Sequence, residues 1–173
     1  MIPIDVVTFG ETMLRFSPPD RQTFEQAPSV SVNIGGSESN LAIALSRLGL
    51  RTAWISKLVD DPLGRKIYTA IAAHGVDMSG VVWTQRGRNA TYFVEVGQAP
   101  RGYRVTYDRK NSAINTLKAS EVNWALLKGA KVVHLTGITA ALSRNCRDLV
   151  ALMIKRARKE KALISFDVNY RAK

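Results

Sequence analysis

Apolar and polar positions along this chain alternate between two periods. Val6-Val7-Thr8-Phe9, preceded by Asp5 and followed by Gly10-Glu11, is a short continuous apolar run of the kind a strand buried on both faces requires. Thr52–Leu58, Val132–Leu135 and Ala162–Val168 repeat that pattern and predict further core strands. Between them the spacing is helical. Leu41, Leu45 and Leu48 fall on one helix face with Gly49 placed to end it, and Asp61-Pro62 supplies an N-cap and a proline for a helix through about Ala73, closed by Gly75. A helix from Ser120 through Leu127 and a basic amphipathic helix after Ser143 complete the series. Strand and helix in alternation predict an α/β fold with a doubly wound, mostly parallel sheet.

Two stretches break this rhythm. From Leu14 to Ile34 the chain reads as short pieces bounded by Pro18-Pro19-Asp20 and Ala27-Pro28-Ser29, with Val30-Ser31-Val32 alternating as a half-exposed strand. Residues 81–107 carry three amphipathic strand patterns, Val81–Trp83, Thr91–Val96 and Tyr103–Tyr107. Together these stretches predict a small exposed sheet that protrudes from the core as a lid over a site.

Composition narrows the reading. At 173 residues with 46% hydrophobic content the chain suffices for one domain with its own core. No apolar run approaches bilayer length, and Met1-Ile2-Pro3-Ile4-Asp5 lacks a basic, cleavable leader, so a cytoplasmic protein without membrane contact is expected. One cysteine, Cys146, excludes an internal disulfide, and with only two histidines a metal site is not expected. The net charge of +11 raises the question of a polyanion partner. Much of the excess sits on one helix face, Lys155, Arg156, Arg158, Lys159 and Lys161, where solvated surface charge explains it, and no nucleic-acid motif accompanies it.

Chemistry concentrates at Gly35-Gly36-Ser37-Glu38-Ser39-Asn40, a glycine turn opening a helix. Adjacent glycines let a backbone approach a ligand closely, and short polar side chains sit where the helix amides lack partners. An ordinary loop-to-helix start explains the same residues. In an open parallel sheet ligands bind beyond the carboxyl ends of strands, which here are Gly10-Glu11, Thr136–Thr139 and Asp167–Arg171. Ser165, Asp167 and Asn169 share one side of the last strand, and Arg171 follows with a fork suited to phosphate or carboxylate. Tyr92, Tyr107 and Arg109 are candidates to line a polar site or to form cross-strand pairs, and His134 reads as a core histidine. No Walker-type loop, nucleophile elbow or dinucleotide fingerprint is present.

Thr8–Glu11, Gly35–Gly49, Lys57–Gly64, Tyr107–Ala113, His134–Ile138 with Ala141–Ser143, and Phe166–Arg171, in this order and spacing, resemble the ribokinase-like (PfkB-type) carbohydrate kinases, the 2-keto-3-deoxygluconate kinases in particular. The similarity runs through the whole chain. Two positions depart from the family's N-terminal signature: Glu38 stands where a small residue or proline is usual, though it is familiar among the ketodeoxygluconate kinases, and Val59 replaces a common glycine.

The resemblance implies a ribokinase-like fold in which residues 1–173 are the N-terminal part of a sugar kinase domain, with lid segments at about 12–34 and 88–112. It implies sugar held by Gly35, Gly36 and Asn40, with Tyr92, Tyr107 and Arg109 facing a sugar acid, Ile138 offering backbone contact and Arg171 reaching substrate or transferred phosphate. Family members phosphorylate a sugar hydroxyl with ATP and Mg2+. The base, the anion hole and the nucleotide site lie in later motifs, so no catalytic residue is assigned here and tight ATP or Mg2+ binding is not expected of these residues. A homo-oligomer joined through the lid is also implied. Two guanidinium groups in one pocket, Arg109 and Arg171, would repel unless an anion neutralised them, which favours a carboxylate-bearing substrate over fructose. A non-catalytic sugar-binding remnant and a polyanion-binding module stand as alternative functions. A stop directly after Lys173 in the gene would favour the first, and steeply salt-dependent DNA binding the second.

Overall fold

A computed structural model describes residues 3–170. Strands β1 (Val6–Phe9), β4 (Thr52–Val59), β5 (Val81–Thr84), β8 (Val132–Thr136) and β9 (Leu163–Asp167) form a five-stranded sheet in the order β5-β4-β1-β8-β9, with every pairing parallel. Helices α1 (Ser37–Arg47) and α2 (Pro62–Ala72) pack on one face, and α4 (Arg144–Lys159) on the other. Alternation divides the strands between these layers. Val7, Phe9, Ala53, Ile55, Val133 and Leu135 meet Leu149, Val150 and Met153 of α4, whereas Trp54 and Leu58 meet Ala42, Ile67 and Ile71. Layers on both sides bury every position of β1 and β4, which is why both strands are mostly apolar.

The helix ends follow local chemistry. Asp61 caps α2 by accepting from the Gly64 amide at 2.7 Å, and Ser143 caps α4 by accepting from the Cys146 amide at 3.1 Å. Gly49 and Gly75, at φ +88° and +80°, take the left-handed conformation that follows a helix. Asp5 ties the amino ends of three strands together. Its carboxylate accepts from the Arg51 amide and guanidinium and pairs with Lys131 at 2.9 Å, which holds its pKa well below the ordinary carboxylate value. With the folded value depressed, this contribution to stability is present above about pH 4 and fades as the pH falls further. Asp5→Asn should lower the thermal midpoint at neutral pH and reduce the further loss on acidification, both readable by circular dichroism against pH.

The second sheet, the one expected as a lid, is small and mixed, in the order β3-β2-β6-β7: β2 (Met13–Ser17), β3 (Ser31–Gly35), β6 (Thr91–Glu95) and β7 (Arg104–Asp108). It pairs both irregular stretches through β2 and β6. Phe16 stacks on Phe93 at 5.4 Å, and Phe24 meets the same ring edge-on at 5.6 Å.

Two sequence expectations are corrected. Val81–Thr84 is not a lid strand but the edge of the main sheet; Val81 and Trp83 face the α2 side while Val82 faces the other, and a half-covered edge strand carries the same amphipathic pattern as a lid strand. The helix expected from Ser120 to Leu127 is reduced to a 3-10 turn, Trp124–Leu127, preceded by another at Ala113–Thr116. Here Glu121 is committed to the Lys118 amide and to buried Lys57, and the Trp124 indole donates to the Ala119 carbonyl, so side chains compete with a continuing helix. The Thr136–Thr139 rim is itself the start of a short helix, α3 (Gly137–Leu142), capped by Thr136.

Candidate functional site

The carboxyl ends of β1 and β8, the first turn of α1 and the base of the lid enclose a cleft of about 330 Å³. It is bordered by Glu11, Gly35, Gly36, Asn40, Arg109 and Ile138, among others. Tyr107 also reaches it. Tyr92 stands behind this wall, stacked on Tyr107 with ring centroids 5.8 Å apart. Arg171 lies outside the described residues.

The glycine turn is held more tightly than ligand access alone requires. A Cβ on Gly35 would stand 2.1 Å from the Tyr92 hydroxyl, and one on Gly36 would stand 2.5 Å from the Glu11 carbonyl and 2.7 Å from the Thr12 hydroxyl. Protein atoms therefore already fill the space that the missing side chains leave. Gly36 is also the N-cap of α1, in extended conformation, and has no side chain to cap the first-turn amides, which suits them to a ligand oxygen. Burial raises the Tyr92 pKa, so its phenol stays protonated beside this turn.

Sequence reasoning placed Glu11 at a strand end and Glu38 in the glycine turn but assigned neither a role. Glu11, 6% exposed, accepts from Arg109 Nε at 2.9 Å and pairs with Nη2 at 2.7 Å through one oxygen, and its other oxygen accepts from the Ser112 hydroxyl. The expectation that Arg109 needs a substrate anion to neutralise it is thereby corrected: Glu11 already does so. Glu38 is 1% exposed and accepts from the Thr136 and Thr139 hydroxyls at 2.6 and 2.5 Å, and burial pushes its pKa up. Both acids lie far in sequence from their partners, so no local spacing marks them.

A second cleft of about 720 Å³ adjoins the first, sharing Tyr107, Arg109 and Ile138 and continuing along Lys110, Gly137 and Asn169. Asn169 closes one corner by donating to the Ser37 hydroxyl at 3.1 Å. His134 is buried, lies 2.9 Å from the Ser165 hydroxyl and has its pKa lowered by burial, which fits a core histidine. Cys146 is fully buried in α4, and burial raises its thiol pKa.

Against known proteins, residues 3–173 match the profile described as pfkB family carbohydrate kinase. The chain belongs to the pfkB family of carbohydrate kinases. It is 41% identical over 169 residues to the 2-dehydro-3-deoxygalactonokinase of Haloferax volcanii, covering 98% of this chain and 53% of that protein. With Fructokinase-1 of Zea mays it shares 35% identity, over 96% of this chain and 51% of that protein. The crystal structure of 2-dehydro-3-deoxygluconokinase from Thermotoga maritima superposes with a TM-score of 0.93 at 36% identity, covering 97% of this chain and 52% of that one. This pfkB-family chain thus spans about half the length of the curated relatives it matches, and its two-sheet architecture is that of the ribokinase-like kinases.

Among the described residues no cluster of carboxylates, histidines and cysteines is arranged to hold a divalent ion, and no helix is long and apolar enough to cross a membrane. Lys110 and Arg109 are the cationic side chains bordering the larger cleft.

Proposed function

We propose that residues 1–173 are the sugar-binding N-terminal portion of an ATP-dependent sugar kinase of the cytoplasm that phosphorylates a hydroxyl of a 2-keto-3-deoxy sugar acid, 2-keto-3-deoxygluconate first among them. The observation that carries the proposal is the convergence on one small cleft of the Gly35-Gly36 turn, Asn40, Tyr107, Arg109 and Ile138, from three separate parts of a pfkB-family chain. In this reading the turn and Asn40 hold sugar hydroxyls. The Arg109 donors not used by Glu11 take the substrate carboxylate, Tyr92 supports the wall through Tyr107 and Gly35, and Arg171 serves substrate or phosphate. ATP, Mg2+ and the proton-accepting base belong to the remainder of the polypeptide, so residues 1–173 contribute binding and orientation.

The complete polypeptide should therefore turn over with Mg-ATP, and the 1–173 chain alone should not exceed a blank. Comparing kcat/KM for 2-keto-3-deoxygluconate and for fructose tests the substrate class. The likeness to a plant fructokinase makes fructose the second reading. A preference for fructose would overturn the acid assignment.

The lid is also proposed as the homo-oligomer surface, since a small sheet is marginal unless an apolar face is covered. Phe93 is engaged with Phe16 and Phe24, so exposed positions such as Val96, Tyr103 and Val105 are the ones available to a second copy. Val105→Glu should reduce the mass of the complete polypeptide in light scattering from oligomer toward monomer; an unchanged mass would exclude this interface.

A further inference from the structure

A buried carboxylate needs a reason, because leaving water costs it several kcal/mol unless donors compensate. The Glu38 side chain runs from the first turn of α1 to the junction of β8 and α3, where the hydroxyls of Thr136 and Thr139 both donate to its Oε1. Thr136 is already engaged, since its hydroxyl oxygen accepts from the Thr139 amide at 3.4 Å as the cap of α3. A hydroxyl that accepts the amide still has its own proton to give, and Glu38 Oε1 takes it, which fixes the orientation of that cap. β1 makes room for the same carboxyl group. A Cβ at Gly10 would stand 2.2 Å from Glu38 Cδ and 2.4 and 2.5 Å from its oxygens.

Three chain segments, α1, the end of β1 and the β8–α3 junction, thus meet on one side chain, and two of them carry lining of the cleft: the Gly35-Gly36 turn before α1, and Ile138 in the first turn of α3. We infer that Glu38 is a positioning residue, a strut that sets the distance between the glycine turn and Ile138 and so the width of the sugar cleft. The inference rests on the sugar-site reading for its consequence but not for its geometry. The strut needs a hydrogen-bond acceptor in that place rather than a charge in contact with sugar, which separates it from a direct ligand.

The test uses Glu38→Gln, Glu38→Ala, Gly10→Ala and the Gly10→Ala/Glu38→Ala double variant of the complete polypeptide, with calorimetric titration of 2-keto-3-deoxygluconate, thermal melts and amide NMR. Glutamine keeps a carbonyl oxygen for both threonines and should bind the sugar acid within about threefold of the parent, whereas alanine should bind it about tenfold or more weakly. Gly10→Ala should lower the melting temperature in the parent and do so much less once Glu38 is alanine, because the colliding carboxyl is then gone. The Ile138 and Gly36 amide resonances should shift together in Glu38→Ala. Equal loss of affinity in the glutamine and alanine variants would make Glu38 a direct ligand and overturn the strut. Parent-like affinity in Glu38→Ala would overturn it as well. If the parent binds no sugar acid, the substrate reading fails by itself, and the strut is then decided by the coupling and the amides: additive melts with unmoved Ile138 and Gly36 resonances would sink it.

Discussion

Glu11→Ala in the complete polypeptide is expected to weaken sugar-acid binding by about 100-fold, an effect of roughly 2.7 kcal/mol, and to lower the melting temperature as well. Glu11 is buried at the end of β1, and Arg109 arrives from the end of β7, 98 positions later in the chain. Removing the carboxylate leaves a guanidinium that is 22% exposed without its partner and a buried Ser112 hydroxyl without its acceptor. Arg109 then either leaves the cleft for water or stays there unpaired, and both outcomes take away the geometry in which its remaining donors face the cleft. Glu11→Gln should be milder for stability but still weaken binding, because an amide retains one acceptor and loses the charge. Calorimetric titration reads the affinity, and a melt separates it from unfolding. Unchanged affinity in Glu11→Ala would show that Arg109 does not depend on Glu11 for its place.

Gly64→Ala should be the most damaging conservative change to stability outside the cleft, costing about 2–3 kcal/mol, or roughly 5–10 °C in melting temperature for a domain of this size. A Cβ at this position would stand 1.9 Å from the Val59 carbonyl oxygen, and the obstacle is backbone that cannot rotate away. The same corner is crossed by a local network. Asn89 accepts from the Val59 amide at 3.0 Å and donates to Asp61 at 3.0 Å, and Asp61 accepts from the Gly64 amide. Asn89 immediately precedes Ala90, whose carbonyl accepts from the Leu14 amide at the foot of β2. A shift at Gly64 is therefore carried to the root of the lid. A melt within one degree of the parent would show that the β4–α2 corner relaxes far more easily than its packing indicates.

Strands β1, β4 and β8 and helices α2 and α4 were legible along the chain because each is set by a periodicity local to a few turns or strand positions, and each boundary by a cap such as Asp61, Ser143 or Gly49. Two readings are corrected: α1 forms where expected but buries Glu38, Ser39 and Ala42 and leaves Leu48 exposed, and β9, expected in the core, is an exposed edge strand. The candidate cleft was legible in part. The glycine turn, Asn40, Tyr107, Arg109 and Ile138 were named from motifs, and the structure places them around one space. What the motifs could not convey was how that space is held, since Glu11 with Arg109 and Glu38 with Thr136 and Thr139 are partners about a hundred residues apart.

By itself, then, the sequence determined the alternation of strands and helices, the parallel sheet that alternation imposes, and the presence of a separate amphipathic sheet, because hydrophobic period and turn chemistry act over short stretches of backbone. Only the tertiary structure decided that Val81–Thr84 closes the main sheet rather than the lid, that Glu121 is spent on Lys57 instead of extending a helix, and that two buried acids brace the cleft. Those outcomes depend on which desolvated charge finds which donor and which strand edge remains uncovered, and such long-range pairings leave no period in the sequence to read.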